Sequence, residues 1–262
     1  MATGPNTPSV DHEALANPPL RAMLGQVQFP TIARLETLEG IAPLQDAIRE
    51  SFPLLNEEIQ VEVAFGPGEA GHDQPRRIDT RSHRFMTQDE TWSAVLTTNS
   101  LTLEAAPGER YASYKSFRDH FESLWCSVLK ELKPSQITRQ GLRYVDHLEG
   151  ERSPAEWCEW INPELLGPFA GDVLGSGLTS TLSVSTFQRD HGYLLFRHGI
   201  TQAGPANAWG YLLDIDDVQD TPLSAESTQE ILDRFDVSHD SAYQLFRWSV
   251  SDKAIEEFRN GA

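Results

Sequence analysis

A chain of 262 residues with 39% hydrophobic content, 6 Trp and 12 Phe can bury a large core, and no apolar run approaches the roughly 18 residues that span a bilayer. The formal charge of −18, from 39 acidic and 21 basic side chains, opposes nucleic-acid binding, which rests on Lys and Arg neutralising phosphates. Neither nucleic acid nor a membrane is expected as a partner. The excess grows along the chain: residues 1–150 hold 21 acids and 14 bases, residues 151–262 hold 18 and 7. The N-terminus lacks the basic and apolar segments of a secretory leader. Two cysteines, Cys126 and Cys158, set among aromatic residues, read as apolar fillers in a reducing, cytoplasmic compartment.

Residues 1–20, rich in Pro, Asn and Thr, read as a mobile tail. A short strand over 22–30 stops at Pro30, and Leu35, Leu38, Ile41, Leu44, Ile48 and Phe52 mark an amphipathic helix that ends at Pro53. Residues 57–65 alternate as a strand, and 66–77, dense in Gly and Pro, read as a loop. Three short strands over 83–105 form a meander. Phe117, Phe121, Leu124, Trp125, Val128 and Leu132 then stripe a helix over 114–133, and residues 138–150 return as a strand. After a linker with Trp157 and Trp160, three longer strands occupy 176–188, 192–202 and 209–219. The chain closes on a helical region with Ser224 and Ser251 as N-caps. Strands followed by a helix thus occur twice. The expected fold class is α+β, a mostly antiparallel sheet with helices packed on one face. Beyond the 1–20 tail it is divided into halves at 21–150 and 151–262, or forms one continuous domain.

No motif ties a reaction to particular side chains, and no cofactor or metal is expected. The glycine pattern at 66–71 matches a dinucleotide fingerprint in letters, but Pro67 and Pro75 prevent the helix that would present free N–H groups. Asp214, Asp216 and Asp220 fall at calcium-loop positions, yet Gln219 and Ala225 stand where a Gly and a bidentate carboxylate are needed. Six of the eight histidines adjoin an aspartate, but neighbours on a strand or helix point different ways, so the dipeptide alone is not a catalytic pair. The four arginines Arg76, Arg77, Arg81 and Arg84 read as a solvated loop.

The strand over 138–150 is the most informative. Parity places Leu142, Tyr144, Asp146 and Leu148 on one face and Arg143, Val145 and His147 on the other. A covered Arg143 needs an anion, either an internal carboxylate or one from a ligand or partner. Arg143, Tyr144 and His147 are the candidate anchor residues. Asp214, Asp216, Asp217 and Asp220 form a candidate acidic partner surface on what reads as a strand edge.

The order Val27-Gln28-Phe29-Pro30, a helix closed by Phe52-Pro53, Tyr111 and Tyr114 leading a helix, the strand Gly141-Leu142-Arg143-Tyr144, and the terminal segment 239–258 resembles a sporadically distributed bacterial family of about this length with no assigned activity. That resemblance implies a fold and a bacterial origin but no mechanism. The expectation is a non-catalytic acidic protein that binds and controls a basic toxin, nuclease or defence component through electrostatic complementarity, with self-association left open. The alternative is a sensor or enzyme for a small anionic ligand in a pocket around Arg143.

Overall fold

The computed structural model describes residues 11–13, 15–67, 73–105, 113–150, 152, 154–167, 180–203 and 208–260. Strand β1 (Leu20–Gln28) turns Met23 and Val27 inward. The helix expected over 35–52 is split: Leu35 sits in a 3-10 turn, and α1 (Leu38–Ile48) starts at Thr37, whose Oγ1 accepts from the Gly40 N–H at 3.1 Å. Strands β2 (Leu54–Pro67), β3 (Asp73–Met86), β4 (Trp92–Leu96) and β5 (Ser100–Ala105) follow, then α2 (Tyr114–Glu131), β6 (Gln136–Ile137) and β7 (Arg139–Glu149). The second part comprises α3 (Pro154–Trp157), α4 (Pro163–Leu166), β8 (Ser183–Arg189), β9 (Gly192–Ala203), β10 (Ala208–Gln219), β11 (Leu223–Ser224), α5 (Thr228–Ser249) and α6 (Asp252–Asn260).

Nine strands form one antiparallel sheet in the order β2-β3-β4-β5-β1-β7-β10-β9-β8, and β6 pairs with β11 separately. Each half follows the same path. β1 lies at the centre, the chain crosses to the edge at β2, and the meander returns until β5 pairs with β1. β7 likewise starts at the centre, the chain crosses to the edge at β8, and β10 comes back to pair with β7. The two central strands pair with each other, Leu24 opposite Arg143 and Met23 opposite Tyr144. One sheet therefore runs through both halves, and the fold is α+β.

The apolar side chains gather on one face in two clusters. Met23, Val27, Leu101, Leu103 and Leu142 pack under α1, α2 and the start of α5; Leu148, Leu194, Phe196, Leu213 and Ile215 pack under the rest of α5, α6, Trp157 and Trp160. Tyr144 touches both clusters. Gly25 permits the close approach of α2, since a β-carbon there would stand 2.1 Å from the Phe117 ring.

Several local expectations change. Where it is described, at 66–67 and 73–77, the segment read as a loop over 66–77 is strand; β3 pairs with β4 only over His83–Met86, and beyond that a two-stranded hairpin leaves Pro75 one side on which no amide is needed. Arg76, Arg77, Arg81 and Arg84 accordingly lie in β3 rather than in a loop. Residues 68–72, which include Gly68 and Gly71 of the glycine pattern, lie outside the described residues. The tail is docked where it is described: Glu13 N donates to Tyr243 Oη at 2.9 Å, Asn17 N to the Phe258 carbonyl at 2.8 Å, and the Pro19 carbonyl accepts from His147 N at 2.8 Å. The closing helical region is broken at Val250, and Ser251 caps α6 by accepting from Ala254 N at 3.2 Å; Ser224 lies in β11, ahead of the helix start. Cys126 is exposed rather than a core filler. Among the described residues, no helix is long and apolar enough to cross a membrane.

Candidate functional site

The two faces of β7 carry different chemistry, as the alternation of its side chains dictates. On the face opposite the helices, Arg143 Nε donates to Asp214 Oδ1 at 2.7 Å and its Nη2 to Oδ2 at 2.8 Å, while Arg197 Nη1 donates to the same Oδ2 at 3.0 Å. Arg143 therefore holds an internal carboxylate in a bidentate grip. Arg84 makes a similar knot further along the sheet, donating to Glu58 at 2.7 Å and also bonding Glu104. His147 is buried on this face, with Nε2 3.4 Å from the Thr201 carbonyl, and burial lowers its pKa.

The acidic stretch is not a sheet edge. β10 is an interior strand between β7 and β9, so Asp214 and Asp217 are buried. Asp217 faces the helices and accepts from Arg189 Nη1 at 2.8 Å; burial pushes its carboxyl up to about 6. Asp216 lies opposite Arg143 in the ladder, and only Asp220 is exposed. Strand pairing on both sides of β10 turns two of these four carboxylates, Asp214 and Asp217, into internal counter-ions.

Tyr144 points the other way, into a cavity of about 310 Å³ bounded by His12, Glu13, Leu15, Pro18 and Leu20, the start of α2, β7 and α5. The aromatic wall is locked. Tyr144 Oη and His239 Nδ1 are hydrogen-bonded at 2.8 Å, Tyr114 Oη donates to Asp236 at 2.7 Å, and the Tyr114 and His239 rings stack with centroids 3.9 Å apart. At the rim His12 stacks on Tyr243 at 4.4 Å and its Nε2 lies 3.0 Å from Asp240. Lys115 Nζ donates to Asp119 at 2.6 Å, and its side chain is 79% exposed. Burial, reinforced by His12, pulls the His239 imidazole down to about 3, so it is neutral at ordinary pH.

Asp146 completes the wall. It is 6% exposed and lines the cavity, and no described residue donates a hydrogen bond to its carboxylate. Burial, and secondarily the charge of Asp214, pushes the carboxyl up to about 7. Among the described residues no three His, Cys, Asp or Glu side chains converge on an ion position.

The candidate anchors expected from sequence thus separate: Arg143 and His147 lie on one face and Tyr144 on the other. Asp146, His239 and Tyr114 are not among those candidates. A signal for Asp146 exists in the strand parity, which sets an aspartate among Leu142, Tyr144 and Leu148 on the core face. Compared with known proteins, the chain matches no family model and no curated sequence.

Proposed function

We propose that the protein is a binding module that takes a small ligand into the cavity between β7, α2 and α5. The observation that carries this reading is the Asp146 carboxylate, buried in the wall with no hydrogen-bond donor from the described residues. Buried polar groups are almost always hydrogen-bonded. An exception in a cavity at the lower end of ligand-site volumes is where a bound molecule would supply the missing partner. The anionic-ligand alternative is less favoured, because Asp214 already fills the Arg143 fork.

A fragment set screened by ligand-observed NMR and thermal shift tests the reading. Hits should lose their effect in Ala242→Phe, whose ring would fill the cavity, and in Ser113→Trp, which blocks its exposed mouth. Hits that persist in both folded variants would place binding elsewhere.

A second reading, an acidic protein that binds a basic partner, is favoured by the charge of −18. With Asp214 and Asp217 engaged internally, the surface would run over exposed carboxylates of α5 and α6, including Asp233, Asp240, Glu256 and Glu257. Retention of a basic protein at low salt, its release at high salt, and its loss on charge reversal at Asp233, Glu256 and Glu257 would support this reading; retention unchanged by those reversals would sink it.

A further inference from the structure

We infer that the ligand of the cavity is a small organic cation, a protonated amine carried on a compact apolar body. This inference rests on the reading that the cavity binds a ligand. Asp146 is the one carboxylate among the residues lining the interior that lacks a donor, since Glu13, at the rim, is bound by Arg259, whose Nη2 donates to it at 2.6 Å. The cation nearest in kind, Lys115, is tied to Asp119 at 2.6 Å. A neutral hydroxyl could donate one hydrogen bond to Asp146 but would leave a buried charge uncompensated; an ammonium supplies both the donors and the opposite charge. An anion would meet Asp146 directly and would be repelled.

The rest of the lining fits the same ligand class. Tyr114, Tyr243 and His239 present rings to the cavity, and Leu15, Ala242 and Phe246 supply apolar surface. Aromatic rings attract cations through their negative faces, most strongly where water is excluded. A volume of about 310 Å³, at the lower end of ligand-site volumes, accommodates a single-ring or short-chain amine. The raised pKa of Asp146, about 7, reflects a carboxylate that burial has left without a counter-charge.

Benzylammonium, benzyl alcohol and benzoate are probes of one shape and three charges. In calorimetric titrations at pH 8, benzylammonium should bind at least ten times more tightly than benzyl alcohol, and benzoate should not bind. Asp146→Asn should erase the ammonium preference yet still bind benzyl alcohol, whose hydroxyl can donate to the remaining amide oxygen, and that residual binding shows that the variant cavity is intact. Equal affinity for the ammonium and the alcohol in the natural protein, or a preference that survives Asp146→Asn, would overturn the cation assignment and leave the cavity reading standing. If neither these probes nor any fragment of the screen binds, the cavity reading falls and the cation assignment with it.

Discussion

Two carboxylates one register step apart in the β7–β10 ladder, Asp214 and Asp146, show how partner geometry decides what a buried charge does. Asp214 accepts from two guanidiniums, so its charge is compensated where it lies. Truncating one guanidinium leaves Asp214 to the other, and Arg143→Ala is expected to lower stability by about 1 to 3 kcal/mol. Chemical denaturation measures that loss, and benzyl-probe affinity should not change, because Arg143 faces away from the cavity.

Asp146 has the opposite character and a distinct pH signature. Its pKa rises from an ordinary 3.8 to about 7 on folding, so between those values the native state holds a proton that the unfolded chain has released, and stability falls as pH rises from about 4 to about 7. His239 has its pKa lowered from 6.5 to about 3; there the unfolded chain holds the extra proton, and stability falls as pH drops from about 6.5 to about 3. The two slopes oppose each other in the natural protein. Asp146→Asn removes the first of them, and because Asp217, also raised by burial, stays in both proteins, the Asp146 effect is read as the difference in stability between variant and natural protein. The variant's advantage over the natural protein should be near zero at pH 4 and grow to as much as about 4 kcal/mol at pH 7. Denaturation midpoints at pH 4, 5.5 and 7 check both the sign and the growth.

At the scale of elements, proline stops and period-two alternation locate most strands, and the three- and four-residue apolar spacing locates α2 and the buried stripe of α1. The β2–β3 hairpin escapes any reading in which Gly and Pro act as breakers, because a two-stranded ribbon leaves one side of each strand unpaired and tolerates them. The pocketing of Gly25 under Phe117 is invisible in the sequence, since no local pattern reports which helix crosses which strand. Gly25→Ala would force the buried Phe117 ring aside and is expected to cost about 1 to 3 kcal/mol; a melting curve measures it. Because Phe117 packs on Tyr114 at 6.0 Å between centroids, the same substitution should also weaken probe binding in the cavity.

At the scale of the molecule, the repeated order of strands then helix in the sequence corresponds to two out-and-back paths that meet at β1 and β7. Local periodicity suggests the repetition but not the meeting, because pairing between distant strands leaves no mark on either strand alone. The Asp146 cavity arises at that meeting: β7 supplies its floor, α2 comes from one half, and α5 comes from the other. Sequence therefore places the pair Tyr144 and Asp146 on a core face, while the aromatic partners that enclose them stay hidden until the halves are joined.

The β1–β7 ladder also has a temporal consequence. Joining Gln28 to Arg139 closes a loop of about 110 residues, whereas β4–β5 and β9–β10 are tight hairpins whose ends start close together. Loop closure makes distant pairing the slow, entropically costly event. In pulse-labelled refolding, amides of β9, β10, β4 and β5 should gain protection before those that bridge β1 and β7. The central ladder would then be the last to zip, and the ligand cavity would not exist until it had.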